Sequence, residues 1–148
     1  MISTSCRKEV WDNILLRGSG IWIIESLETT QINYDGTTET VISDFDEAYW
    51  RFYLGPDRVS TCEVYGLTDG ESVISLPVYT FDSERLSLYD GNSFYTYTIE
   101  ELNRSRMVLS RYTDAPGEDY TLKVHIEFSS CSTCKPRVDY DGIVEPNI

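Results

Sequence analysis

The sequence predicts an all-β fold: one antiparallel up-and-down barrel of about eight strands behind a short N-terminal helix, with a β-sandwich as the alternative closure. Three observations predict it. Aromatic residues make up 13% of the 148 residues, eleven of them tyrosines, and such rings fit a pleated surface. From Gly20 onward apolar side chains recur at every second position, in runs of about five to ten residues. Short turns rich in Gly, Pro, Asn and Asp separate these runs, with no helical spacing between them. The length suits a single domain that buries roughly two thirds of its unfolded surface. The five prolines are scattered, and no Gly-, Ser- or Pro-rich stretch marks a linker.

The elements follow in order. Val10, Trp11, Ile14 and Leu15 stand at helical spacing within 8–17, and Gly18 is placed to cap that helix. A first strand over 21–32 ends at Asn33-Tyr34-Asp35-Gly36, a turn signal, and the polar stretch 37–47 holds only a weak strand near 40–42. In 48–54, Ala48, Trp50, Phe52 and Leu54 point one way and Tyr49, Arg51 and Tyr53 the other. Gly55-Pro56-Asp57 turns the chain into a partner strand over 58–65, and 67–71 holds the next turn. In the strand over 73–81, Pro77 must sit at an edge or bulge, because it has no N–H for a ladder. Asp90-Gly91-Asn92 is a hairpin signal between strands over 85–89 and 94–100. A tight connection over 101–105 leads to a strand over 106–113, and 114–118 is a Pro-Gly loop. The last strand, 120–128, alternates cleanly, so Leu122, Val124 and Ile126 are expected inside and Lys123, His125 and Glu127 in solvent.

The formal net charge of −13, from 25 acidic and 12 basic side chains, is spread along the chain and argues against nucleic acid as a partner. It also disfavours an anionic membrane surface, so membrane attachment would need a covalent anchor. No enzymatic activity and no cofactor are expected. Acyl-transfer chemistry needs a base beside its nucleophile, and the one histidine, His125, falls on the outward face of its strand. No local signature singles out a catalytic pair among the acids. The fragments 33–36, 43–47 and 139–142 carry acids at alternate positions like parts of calcium loops, but none continues to the closing Glu, and turn-forming Asp-Gly pairs account for them. Cys131-Ser132-Thr133-Cys134 has the spacing of half a zinc site or a redox pair; without a second such pair, a structural disulfide or an inert pair is the better reading, and no metal is expected.

Met1-Ile2-Ser3-Thr4-Ser5-Cys6-Arg7-Lys8 resembles the end of a bacterial lipoprotein signal, small residues leading to a cysteine and then charges. The resemblance implies that Cys6 carries lipid, that the residues before it are removed, and that the protein is exported to the periplasm or cell surface, anchored in the outer membrane. The charged and apolar parts of such a signal are missing, so the sequence is read as starting inside it. The alternative is a cytosolic N-terminus that happens to hold a cysteine.

Leu15-Leu16-Arg17-Gly18 leading into Gly20-Ile21-Trp22, followed later by Leu86-Ser87-Leu88-Tyr89, the run Tyr97 to Leu102, and Met107-Val108-Leu109, resembles the lipocalin-like domains of small exported bacterial lipoproteins, part of the calycin group. The likeness runs from Leu15 to Phe128. It divides the chain into an N-terminal segment with its helix (1–17), a barrel (18–130) and a C-terminal tail (131–148). It implies that Trp22 closes one barrel end against Trp11 or Leu15, and that Trp50, Phe52, Tyr95, Tyr97, Leu122 and Val124 line a pocket for a small apolar or amphiphilic ligand. The alternative is a filled core whose acidic face or loops dock another cell-envelope protein. The polar stretch 37–47 and the tail depart from the family pattern. For the thiols the residues leave alternatives open: a Cys131–Cys134 loop, or three free thiols in a reduced cytosol. The resemblance implies that Cys62 bonds to Cys131 or Cys134 and ties down the tail, a link worth roughly 4 kcal/mol in the chain-entropy model.

Overall fold

In the computed structural model the described residues are 14–16, 19–43, 47–54, 59–66, 73–114 and 118–134. They form one continuous antiparallel sheet of nine strands: β1 (Ile21–Asn33), β2 (Thr38–Ile42), β3 (Tyr49–Leu54), β4 (Ser60–Tyr65), β5 (Val73–Phe81), β6 (Arg85–Tyr89), β7 (Phe94–Leu102), β8 (Arg106–Asp114) and β9 (Tyr120–Cys131). Each of β3 to β9 pairs with its neighbour in sequence, and β9 returns to pair along the whole of β1, so eight strands close into an up-and-down barrel. The sandwich alternative is thereby set aside. Residues 14–16 are the helical part of the described N-terminal segment; the rest of the expected helix, with Trp11 and Cys6, lies outside the described residues.

The ninth strand explains the polar departure at 37–47. β1 is long enough to serve two partners on one edge. Its first residues close the barrel on β3 through Ile21↔Arg51, Trp22↔Trp50 and Ile23↔Tyr49, while residues 28–32 pair with β2 instead. All five β2 side chains are exposed, so this strand is a flap hairpinned onto β1 rather than part of the barrel wall. Asp35 shapes the connecting turn by accepting from the Thr37 backbone N–H (2.9 Å) and hydroxyl (2.7 Å), and these bonds hold its carboxyl below the usual value. The turn therefore uses the acid that the sequence placed in a calcium-like fragment. Among the described residues no three metal-ligating side chains come together; residues 44–46 and 139–142 lie outside them.

The other turns follow the same chemistry. Asp90 Oδ1 accepts from the backbone N–H groups of Asn92 and Ser93, and Asn103 Oδ1 from those of Ser105 and Arg106, so each short link to the next strand is built on an Asx turn. Pro77 is tolerated because it stands where the ladder to β4 ends, at Thr61↔Pro77, and just before the ladder to β6 begins at Val78, beside a bulge between Val78 and Thr80.

The core fills the barrel from the helix end. Trp22, 2% exposed, lies under Leu15 and donates its indole N–H to the Leu15 carbonyl at 3.1 Å. Trp50, Phe52, Leu86, Met107, Leu109, Ile126 and Phe128 pack around it. A second cluster, Ile21, Tyr49 and Tyr65 with Ile23 and Cys134, is buried on the outside of the wall formed by β1, β3 and β4. There Tyr49 and Tyr65 stack at 5.0 Å, and Arg51 pairs with a Glu63 that is 1% exposed, at 3.1 Å.

The expected Cys62 bridge is corrected. Cys131 bonds to Cys134 across a Cα separation of 5.5 Å, and Cys62 is a free, buried thiol. The wall itself is the reason: Cys62 alternates inward beside Phe52 and Leu76, whereas Cys134 packs on the outer cluster, so a sheet stands between them. β9 also continues to Cys131, one residue past the expected end of the barrel.

Candidate functional site

β7, β8 and β9 carry the inner face away from the helix end, and alternation sets which residues reach it. Cross-strand pairs place Met107 by Phe128, Leu109 by Ile126, Arg111 by Val124 and Thr113 by Leu122, so Arg111 and Thr113 continue inward the row begun by two wholly buried apolar side chains. On β7, Tyr97 lies beside Leu86 and Tyr95 beside Leu88, again on the inner phase.

All six residues expected to line a pocket face the interior, graded by depth. Trp50 and Phe52 are core residues, 2% and 3% exposed, with Trp50 edge-on to Phe128 (5.1 Å), Tyr97 (5.3 Å) and Phe52 (6.4 Å). Tyr97 and Val124 are half-buried against that core, and Tyr95 and Leu122 lie further toward the far end. Leu122 and Val124 are therefore less buried than their phase predicts, while Ile126 is 2% exposed. The reason is position along the barrel: their partners on β1 are Gln31 and Thr29, beyond the stretch where β3 closes the wall.

Sequence reasoning missed Arg111. Its guanidinium carbon stands 5.3 Å from the Tyr95 ring centre and 5.6 Å from that of Tyr97, a cation held against two aromatic faces. Its Nε is buried without a hydrogen-bond partner among the described residues, as are Thr113 Oγ1 and the indole nitrogen Nε1 of Trp50. The signal was present: in 106–113 an arginine falls in phase with Met107 and Leu109, where a solvent-facing charge would fall out of phase. By register, Arg111 is the one charged side chain among the described inward-facing positions of the eight barrel strands.

Burial pushes the Tyr97 hydroxyl above its ordinary value of 10.0, with Arg111 nearby pulling the other way, so it remains a neutral donor at physiological pH. At the rim the Tyr95 hydroxyl donates to Asp90 Oδ2 at 2.7 Å; that bond, and then the charge of Asp90, raise its value. Burial, followed by the charge of Glu63, drives the Cys62 thiol well above 9.0. A group whose folded value is raised stabilises the fold fully below its unfolded value and less as pH climbs through the window above it. Cys62 and Tyr97 therefore give a stability that holds at neutral pH and falls above pH 9.0. Denaturant midpoints measured from pH 7 to 10.5 should show this decline, and Cys62→Ala should flatten its first part. In a Cys6→Ser background, a thiol reagent should leave the folded protein untouched and label one cysteine in denaturant; equal labelling in both states would contradict the inward position of Cys62.

His125 is on the outer wall as expected, half-exposed, with Nε2 3.0 Å from Glu127 Oε2. Arg106 reaches the other Glu127 oxygen at 3.2 Å, and the hydrogen bond with His125 foremost, with the charge of Arg106, holds that carboxyl below its ordinary value. This group is a surface network remote from the inner face. Comparison with models of known protein families finds none that matches the chain, and comparison with curated proteins finds no match either.

Proposed function

We propose that this protein is an exported lipocalin-like lipoprotein domain, anchored through lipid on Cys6, that binds one small apolar or amphiphilic molecule inside its barrel. The observation that carries the reading is a set of inner-face polar atoms with no partner among the described residues: Arg111 Nε and Thr113 Oγ1 on the half-buried part, and Trp50 Nε1 in the core. A buried polar atom without a partner costs on the order of 1–3 kcal/mol, and a chain that keeps three of them around one apolar lining has a use for them. Apolar walls with a few convergent polar groups are the usual make-up of a small-molecule site. Binding rather than catalysis fits the outward position of His125, the usual base of acyl-transfer chemistry.

An uncharged environment-sensitive fluorophore tests this reading. The folded protein should bind it saturably at one site per chain, with energy transfer from Trp50. Fluorescence that grows without saturation would argue for a filled barrel.

One observation favours the alternative role in docking a cell-envelope protein. β2 is an edge strand with Val41 and Ile42 exposed at 65% and 67%, and exposed edges with apolar side chains accept added strands.

A further inference from the structure

We propose that the ligand is an amphiphile with a single carboxylate head, and that Arg111 is the residue that selects it. This rests on the ligand-binding reading above and adds the chemistry of the head group.

The protein carries −13 overall, which repels anions at long range, yet the one charged residue on the described inner face is a cation. Neutralising it internally would need an inward-facing acid, and by register none of the described barrel positions supplies one; the acids beside β8 point outward, as Glu100 does in accepting from Ser110 at 2.6 Å. The faces of Tyr95 and Tyr97 hold the guanidinium, and one of its N–H groups donates to the Tyr97 hydroxyl, which leaves the other N–H groups of its edge to bond in-plane. That edge is the part that pairs with a carboxylate through two parallel bonds.

The neighbours have the same polarity. Trp50 Nε1 can only donate, the neutral Tyr97 hydroxyl has a proton to give, and Thr113 can donate through Oγ1. An ionised carboxylate is acceptor-only, so donors around one cation complement it, whereas an alcohol or amine would leave some of them unmatched. One cation with neutral companions matches one negative charge, which favours a carboxylate over a phosphate ester carrying nearly two. Beside the head, the half-buried side chains of Leu122, Val124 and Ile99 offer apolar surface to a hydrocarbon tail.

Competition of dodecanoate, dodecanol and dodecyltrimethylammonium against the uncharged fluorophore tests this directly. Dodecanoate should compete about ten- to hundred-fold better than dodecanol, the range expected of a charge-assisted hydrogen bond, and the cationic amphiphile should compete worst. Arg111→Gln should collapse the ratio of dodecanoate to dodecanol toward one, Arg111→Lys should retain part of it, and Arg106→Gln on the outer wall should keep it whole. Circular dichroism of each variant reports its folding, and dodecanoate should raise the melting temperature of the unaltered protein more than dodecanol does. Equal competition by dodecanoate and dodecanol, or a preference that survives Arg111→Gln, would overturn the role of Arg111 while leaving a ligand-binding barrel in place. Failure of every amphiphile and of the fluorophore would overturn both.

Discussion

Trp22→Ala should lower the unfolding free energy by about 3 to 5 kcal/mol, the loss that follows truncation of a large buried aromatic. Trp22 is 2% exposed at the helix end of the barrel, and its indole N–H is bonded to the Leu15 carbonyl at 3.1 Å. Removing the ring leaves a cavity beside Ile24, Met107 and Phe128 and deprives the helical segment of the bond that fixes it over the barrel. Trp22→Phe separates the two effects. It keeps most of the apolar volume but strands the carbonyl, so its cost should be distinctly smaller than that of the alanine variant. Equilibrium denaturation with urea measures both. An alanine variant within 1 kcal/mol of the original, by the same bookkeeping for buried aromatics, would contradict the placement of Trp22 as the plug of this end.

Gly20→Ala should have an effect of similar size for a different reason. Gly20 has φ +74°, a conformation that costs a residue with a side chain about 1 to 2 kcal/mol. A Cβ there would also run into the carbonyl oxygen of Phe52, at the point where the Phe52 N–H donates to the Gly20 carbonyl at 2.8 Å. That bond and the three β1–β3 pairs beside it form the seam that closes the barrel. With the steric cost of overpacking added, the total should reach about 2 to 5 kcal/mol. Gly91→Ala is the control: φ is +99°, but a Cβ there would meet open space, so only the conformational part should be lost. Equal melting temperatures for the two variants would mean that the seam is not closed as described.

Much of this fold was legible because antiparallel strands with one wet face write their phase into the sequence. Tyr120 to Phe128, the hairpin at Asp90-Gly91-Asn92 and the bounds of β5 and β6 were read directly. Two features were not, and both depend on distant parts of the chain. The outer cluster of Tyr49, Tyr65 and Ile21 makes β3 buried on both faces, and alternation alone assigns one face to water. The visible sign was a strand, Tyr49 to Leu54, with rings in both phases. The weak strand near 40–42 became a full partner of β1 because β1 overshoots the barrel, a length that no local pattern states. For the candidate site, the inward phase of the six expected positions was legible, while the polar part was not: Arg111 is one charge among many in composition, and its phase alone sets it apart. The thiol pairing failed because it followed the habit of a family rather than the wall between Cys62 and Cys134.

Binding at the half-buried inner face around Arg111 has a direct spectroscopic signature. Two-dimensional NMR of the folded protein titrated with dodecanoate tests it most directly. Saturating changes are expected at one equivalent in the Trp50 indole N–H, the Arg111 Nε–H and the Val124 methyl groups, with the amides of Thr38–Ile42 unmoved. Changes confined to β2, or shifts that follow concentration without saturating, would contradict it.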